Sequence, residues 1–286
     1  MKKPLLVLLV PLLLISGCFQ IIAVRTVGGL MDLGFEAFNE EGDLQLAHEA
    51  LASNLKLLEA LVKADPENPK LLLLASQGYS AYALAFAEDD SLERARLIYD
   101  RARNYGLRVL NQNPKLKAAL DADFETFRLV LHSLSKEDVP AVFWTAFGWG
   151  SYINITRTDV GALADLPKVL AMMEFVTQTD SAYYFGGGYL FLGAIEGSTP
   201  AVLGGKPAKA KEYFERALAM NGGKFLMTYV YYAKTYAVQI QDQELFESML
   251  TKVDEASTEV LPEARLPNAV AKRKARLLRD RIGEFF

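Results

Sequence analysis

Apolar residues recur at intervals of three and four along nearly the whole chain, and no stretch alternates long enough to indicate a β-strand. This spacing matches the turn of an α-helix, so each segment would present one apolar stripe to a core. We therefore predict an all-α fold of about 12 helices. The predicted helices cover residues 24–40, 43–64, 69–87, 91–111, 115–133, 137–156, 158–178, 182–196, 206–220, 224–240, 243–256 and 266–281.

Short connections between the predicted helices indicate how they are arranged. Asn68 and Asn113 each precede a proline, a pairing typical of a helix N-cap followed by the first helical residue. A glycine turn at 221–223 separates two later segments. Neighbouring helices joined in this way should pack as antiparallel hairpins. We expect them to form one domain over residues 18–286.

A weak internal repeat suggests how the hairpins stack. Residues 95–102 contain alanine, then tyrosine four positions on, then alanine three positions later, and residues 210–217 repeat the spacing with phenylalanine. This is the pattern of the second helix of a tetratricopeptide repeat, in which alanines allow close approach and an aromatic ring fills the gap. Chance matches in an alanine-rich bundle are the alternative. Stacked repeats of this kind usually bind partners on a concave surface.

The N-terminus has the organisation of a bacterial lipoprotein signal. Lys2 and Lys3 precede an apolar run over residues 4–15, which is followed by Ser16-Gly17-Cys18. The run is shorter than the roughly 20 residues that a membrane-spanning helix needs. We predict a signal peptide over 1–17 and lipidation of Cys18, the only cysteine. An ordinary signal peptide or a buried helix is the alternative.

The charge balance excludes two kinds of partner. Removing Lys2 and Lys3 with the signal leaves 29 basic against 35 acidic residues, a net charge of −6. Such a chain has no basic surface for nucleic acid or for anionic lipid, so attachment to a membrane would depend on the lipid at Cys18. After lipidation no thiol remains for a disulfide or a metal site.

Catalytic patterns are incomplete. His48 and His132 are far apart and lack a metal-binding spacing. Gly204-Gly205-Lys206 resembles the end of a phosphate loop, but a proline follows where serine or threonine is required. Glu247 and Ser248 match a pair found in lysozyme-like enzymes that cleave the cell wall, but the segment that follows does not match. We predict that the protein is not an enzyme and uses no cofactor or metal.

An uncharged aromatic segment is the first candidate binding surface. Residues 139–155 contain no charge and include both tryptophans of the chain. A helix that is apolar on every side is either a central core helix or the wall of an apolar cavity. On the second interpretation, the cavity candidates in this segment are Phe143, Trp144, Phe147, Trp149 and Tyr152.

A second candidate surface combines tyrosines with glycines. Residues 183–193 hold Tyr184 and Tyr189 around three consecutive glycines. Tyrosine supplies apolar area together with a hydroxyl that requires a partner, which suits an amphipathic pocket. Packing between hairpins is the alternative. We include Tyr184 and Tyr189 among the cavity candidates.

Several of these groups occur in the order seen in a known family. They are the lipobox, Asp138-Val-Pro-Ala with Gly148-Trp149-Gly150, Tyr184 with its glycines, Leu203-Gly-Gly205, and Leu266-Pro-Asn268. Together they resemble the TatT component of tripartite ATP-independent periplasmic (TRAP) transporters. The resemblance covers most of the chain after the signal. It implies a helical lipoprotein with cryptic tetratricopeptide repeats at the periplasmic side of a membrane.

The resemblance also implies partners. Proteins of this family are expected to form homotrimers and to pair with the transporter's periplasmic solute-binding protein. They are further expected to offer an apolar cavity to a hydrophobic ligand. Phe19, rather than aspartate, follows Cys18, which by the sorting rule of enteric bacteria favours the outer membrane. The alternative function is a scaffold lipoprotein for assembly of the outer membrane or cell envelope.

Overall fold

A computed structural model describes residues 33–200 and 204–286. The predicted signal peptide, Cys18 and most of the first predicted helix lie outside the described residues. Within the described ranges the chain is helical and contains no β-strand, which confirms the all-α prediction and its approximate number of helices. No helix in these ranges is long and apolar enough to cross a membrane.

The helices are numbered in chain order. They are α1 (33–39), α2 (Leu44–Ala64), α3 (Pro69–Tyr82), α4 (Leu92–Leu110), α5 (Pro114–Leu120), α6 (Phe124–His132), α7 (Val139–Ile155), α8 (Val160–Ala164), α9 (Leu166–Thr179), α10 (Tyr183–Ser198), α11 (Pro207–Asn221), α12 (Met227–Tyr231), α13 (Gln243–Glu255) and α14 (Arg265–Asp280). The last turns of α3 and α12 continue as π-helical segments, Ala83–Ala87 and Tyr232–Ala237. Short 3₁₀ turns lie at Lys136–Asp138, Thr258–Val260, Pro262–Ala264 and Ile282–Glu284.

The predicted caps explain where several helices begin. The side chain of Asn68 accepts hydrogen bonds from the backbone N–H groups of Lys70 and Leu71, at 3.1 and 3.2 Å. Asn113 caps α5 in the same way. These bonds satisfy N–H groups that the first helical turn leaves without partners. The described part of the chain therefore follows its local signals closely at these two sites.

Two predicted helices are each divided into two. The segment 115–133 becomes α5 and α6, because Asp123 accepts a hydrogen bond from the N–H of Thr126 at 3.0 Å and starts a new helix. The segment 158–178 becomes α8 and α9, with Pro167 in the first turn of α9. In both cases a new helix start, with a side-chain cap or an early proline, replaces the continuous helix that periodicity alone predicted.

The repeat positions lie at helix contacts, as their residue types suggested. Ala95, Tyr99 and Ala102 are fully buried on α4, and the matching residues of α11 are equally buried. The ring of Phe214 lies beneath α10, where a Cβ on Gly193 would come within 3.2 Å of it. Successive helices pack on each other from α2 to α4, and α4 then packs on α7.

The core has two large parts. One is formed mainly by α2, α3 and α10 to α14, and the other by α4 to α7, α9 and α10. Phe143 and Phe191 belong to the second part, whereas Phe225 and Val230 belong to the first. All four line a single cavity. The cavity therefore lies where the two parts of the core meet.

Candidate functional site

The cavity has a volume of about 750 Å³. This is within the range of about 300–1,000 Å³ found for small-molecule sites. Its wall is built by α7, α10, α12, α14 and the π-helical end of α3. Apolar side chains from these elements that line it include Leu84, Phe147, Leu190, Val230 and Val270, and Phe225 joins them from the connection before α12.

Two helices contribute regular stripes to the wall. On α10 the lining positions recur at intervals of three and four; they are Tyr184, Gly187, Leu190, Phe191, Ala194, Ile195 and Ser198. The lining positions of α7 follow the same spacing between 143 and 155. Residues at such intervals share one face of a helix. Each helix thus presents a continuous strip to the cavity and packs into the core with its other sides.

Both π-helical segments also border the cavity. Leu84 and Ala85 come from the first segment, and Lys234 and Thr235 from the second. A π turn inserts one residue into the helical repeat and shifts the register of the face that follows. These segments are frequent at functional sites. The lining positions on either side of each segment nevertheless keep intervals of three and four, so both helices continue to present one face to the cavity through their π turns.

Four of the seven cavity candidates line the cavity: Phe143, Trp144, Phe147 and Tyr184. The ring of Trp144 meets the ring of Tyr184 edge-on at 4.8 Å, and meets that of Phe143 at 5.1 Å. Edge-on packing is favoured by the charge distribution of aromatic rings. These contacts fix the orientation of the aromatic wall where α7 and α10 face each other.

The other three candidates lie elsewhere. Trp149 is buried in the core on another side of α7, and its indole N–H has no hydrogen-bond partner in the described structure. Tyr152 lies beneath the guanidinium of Arg103, at 4.7 Å. Tyr189 stacks on Tyr213 at 6.1 Å. All three fall outside the strips that α7 and α10 present to the cavity, so aromatic composition alone did not distinguish wall from core.

A left-handed turn positions Tyr184. Tyr184, Phe185 and Gly186 have φ angles of 46°, 59° and 80°, and regular helix follows from Gly187. This conformation costs roughly 1–2 kcal/mol for each residue that carries a Cβ. The side-chain amide of Asn221 donates to the carbonyl of Phe185 at 2.8 Å, and so ties the turn to α11. Backbone strain of this kind is typical of functional sites.

Replacing Gly186 with alanine should destabilise the fold. Its φ of +80° disfavours a Cβ, and the new Cβ would lie 3.1 Å from Met220 and 3.3 Å from Ala217. We expect a loss of about 1–2 kcal/mol in the free energy of unfolding, measured by urea denaturation. Gly283→Ala is the matched control, since a Cβ there has no neighbour within 4 Å. Equal stability of the two variants would contradict the strained turn.

Two cavity tyrosines have unused hydroxyls. Within the described ranges neither Tyr184 nor Tyr231 forms a protein hydrogen bond through its hydroxyl, although both line the cavity. Burial raises the pKa of both phenols above the usual 10, so both stay protonated near neutral pH. By contrast, the Tyr183 hydroxyl accepts a hydrogen bond from the Trp144 indole at 3.2 Å. The free hydroxyls are donors available inside a mainly apolar space.

Glycines make room for the aromatic wall. A Cβ on Gly150 would lie 2.3 Å from the ring of Phe191, and one on Gly187 would lie 2.9 Å from the ring of Phe143. A Cβ on Gly148 would instead lie 3.1 Å from Ala102 of α4. The two glycines of α7 therefore allow close approach: Gly150 accommodates the ring of Phe191, and Gly148 accommodates α4.

A charged cluster closes one part of the wall. The ammonium of Lys274 lies 2.8 Å from Asp89 and 3.2 Å from Glu88. Arg273 bonds Asp89 at 2.9 Å, and the hydroxyl of Tyr99 donates to Glu88 at 2.6 Å. Only 7% of the Lys274 side chain is exposed. The cluster joins α14 to the π-helical end of α3 and satisfies the carboxylates at that border of the cavity.

The residues considered for catalysis do not converge. His48 contacts the hydroxyl of Tyr82 at 3.0 Å, whereas His132 is exposed on α6. Glu247 is exposed and accepts a hydrogen bond from Gln243 at 2.8 Å. No cluster of histidine, cysteine and carboxylate side chains suited to a metal ion occurs in residues 33–200 and 204–286.

Comparison with known proteins identifies relatives over most of the chain. A family model described as the TRAP transporter T-component matches residues 40–286. The chain is also 23% identical, over 274 residues, to an uncharacterized protein of Treponema pallidum (strain Nichols). That alignment covers 90% of this chain and 85% of the relative. The matched residues include every residue that lines the cavity except Asn39, which lies on α1.

Proposed function

The chain belongs to the TRAP transporter T-component family, and from this we propose that it is a lipid-anchored periplasmic protein that docks the solute-binding subunit and holds a hydrophobic ligand. Family membership establishes an accessory role in TRAP transport. Docking, ligand binding, lipidation and a homotrimeric state are our proposals. The role is stoichiometric, since the protein would receive or pass on a cargo and would leave it chemically unchanged.

The cavity is the observation that supports ligand binding. Its volume of about 750 Å³ is large, and its wall is mainly aromatic and aliphatic. Burying an apolar ligand there contributes about 25 cal/mol for each Å² of apolar surface removed from water. The hydroxyls of Tyr184 and Tyr231 would supply hydrogen bonds within that surface. We propose Phe143, Trp144, Phe147 and Tyr184 as wall residues in contact with the ligand.

The solute-binding protein is the proposed partner because the family functions within a TRAP system. Stacked helical hairpins present extended surfaces that suit protein partners. Several large apolar side chains are exposed on the described surface, among them Leu129 and Val160, which are 68% and 80% exposed. Such side chains would be covered in a complex or in a trimer.

Native purification tests the proposal. The full chain is purified from its own membranes by a C-terminal tag after brief crosslinking, and bound molecules are extracted and identified by mass spectrometry. We expect a TRAP solute-binding protein and a lipid-like molecule. Retention of neither would refute the proposal. Capture of outer-membrane assembly proteins without any lipid-like molecule would favour the scaffold alternative.

Replacing Cys18 with serine should abolish lipidation. A hydroxyl cannot replace the thiol that accepts the lipid, and without the acyl chains the anchor loses about 0.8 kcal/mol for each methylene that was buried in the bilayer. We expect the N-terminal peptide to lose the lipid mass and the protein to leave the detergent phase in a detergent partition assay. Ser16→Ala is the control. A variant at Cys18 that still carries lipid would contradict the assignment.

A further inference from the structure

Arg157 is a cation at the cavity wall without an acidic partner. Its Nε donates to the side-chain oxygen of Asn154 at 2.9 Å. Its Nη2 donates to the hydroxyl of Ser198 at 2.8 Å, and its Nη1 to the carbonyl of the same residue at 3.3 Å. Among the described residues no carboxylate lies within salt-bridge distance of it. The side chain as a whole is exposed to solvent at the cavity border, and burial of part of its guanidinium lowers the pKa of Arg157 below its usual value.

Most other charges of the wall are neutralised. Glu88 and Asp89 are bonded by Lys274, and Arg273 adds a second cation to Asp89. Asp90 is exposed to solvent. The carboxylates of Glu88 and Asp89 are therefore paired with cations of their own. This pairing reduces the negative electrostatic potential that they produce at Arg157.

A second cation lies on the neighbouring helix. Lys234 lines the cavity, and its ammonium lies 5.8 Å from the ring centre of Tyr231, without a carboxylate partner in the described structure. The next residue, Thr235, packs against Gly197, since a Cβ there would lie 2.9 Å from its hydroxyl. Gly197 directly precedes Ser198, which holds Arg157. The two cations thus belong to the same end of the cavity.

We infer that the ligand is a single-chain amphiphile whose acidic head is bound at Arg157 and whose apolar tail lies along the aromatic wall. The inference rests on the proposed ligand-binding function and specifies its substrate class. Arg157 uses four of its five N–H donors on neutral groups, and one N–H of Nη1 remains. A carboxylate or phosphate head would accept that hydrogen bond and place a negative charge beside the guanidinium. Lys234 would add a weaker, solvent-screened attraction.

Quenching of tryptophan fluorescence tests this assignment directly. Trp144 and Trp149 are the only tryptophans, and Trp144 alone lines the cavity. In Trp149→Phe, which sacrifices no hydrogen bond, Trp144 becomes the single reporter. The full chain carrying this change is reconstituted in nanodiscs. It is titrated with undecanoate brominated on its terminal carbon, and with the corresponding bromo-alcohol as the uncharged match.

The acid should quench Trp144 at a concentration about tenfold lower than the alcohol, because a charge-assisted hydrogen bond contributes at least one factor of ten. Arg157→Gln should remove this advantage and leave alcohol binding unchanged, whereas Arg157→Lys should keep part of it. Equal quenching by the acid in the parent and in Arg157→Gln would overturn the head-group assignment while leaving the cavity proposal intact. Quenching by neither probe would instead refute the cavity as a ligand site.

Competition identifies the head group. Unlabelled dodecanoate and dodecyl phosphate are each used to reverse the quenching by the brominated acid, with dodecanol as the neutral competitor. The inference is supported if either anion reverses the quenching at a lower concentration than dodecanol. The anion that competes more strongly identifies the preferred head group. Dodecanol competing as well as both anions would overturn it. Because these comparisons use the parent chain, they do not depend on how well the Arg157 variants fold.

Discussion

Lys274→Met should lower the free energy of unfolding by about 3–5 kcal/mol, the loss typical of a buried ion pair that loses one partner. Lys274 is 7% exposed and bonds both Glu88 and Asp89, at 3.2 and 2.8 Å. After the substitution Asp89 keeps Arg273, but Glu88 retains only its bond from the Tyr99 hydroxyl. The destabilisation follows from leaving that carboxylate charged without a cation. For a chain of this size the melting temperature should fall by about 6–20 °C.

An exposed pair provides the control. Arg128 lies 2.9 Å from Glu125 on α6, and 51% and 65% of their side chains are exposed. Arg128→Met removes the same kind of contact where water screens it, so the expected loss is at most about 1 kcal/mol. Both variants are unfolded in urea and followed by circular dichroism. If both variants lose the same free energy of unfolding, burial does not make the ion pairs of Lys274 more stabilising than an exposed pair.

A second substitution separates charge from packing. In the Lys274→Met background, Glu88→Gln removes the uncompensated charge but keeps an oxygen that can accept the hydrogen bond of Tyr99. The double variant should recover a large part of the lost stability. If it recovers nothing, the loss in the single variant comes from packing of the lysine chain.

The helices could be predicted because their signals are local. Periodicity and the Asn68 and Asn113 caps located most elements within a few residues. Where one predicted helix became two, Asp123 supplied a cap whose signal was present in the sequence but was outweighed by the apolar period. The π-helical segments had no such signal, because a single-residue shift of register does not alter the spacing of apolar residues enough to be recognised.

The turn at Tyr184 and Phe185 could not be predicted for a different reason. Both residues disfavour positive φ. Their conformation therefore depends on the hydrogen bond that Asn221, 36 positions later in the chain, donates to the Phe185 carbonyl. The following glycines indicated only that some unusual backbone was allowed. Local propensity is overridden here by tertiary packing, as is common at functional sites.

Composition located one side of the cavity and missed the others. The uncharged segment 139–155 drew attention to α7, but Phe225 comes from the connection before α12 and Val270 from α14, and the sequence around both has an ordinary pattern. Nothing in those patterns distinguishes a side chain that faces a cavity from one that faces a packed core. Trp149 shows the converse: it is an aromatic side chain of segment 139–155, but it is buried in the core and does not line the cavity.

Ala194→Trp should abolish most of the ligand retention proposed for the cavity. Ala194 faces the cavity on α10 and is only partly buried, so a larger side chain can extend into the open space. An indole there would exclude several methylene groups of a bound chain. At about 0.8 kcal/mol for each methylene, losing three or four of them weakens binding roughly 50- to 200-fold.

Ala208→Trp is the matched control for Ala194→Trp, because Ala208 is an exposed alanine on α11 outside the cavity wall. Both proteins are purified as full chains, and the molecules they retain are extracted and quantified by mass spectrometry. The Ala208 variant should keep the amount found in the parent, while the Ala194 variant should keep a few per cent or less. Because melting temperatures are measured in parallel, loss of ligand can be separated from loss of fold. Full retention by a folded Ala194 variant would mean that the ligand lies outside this cavity.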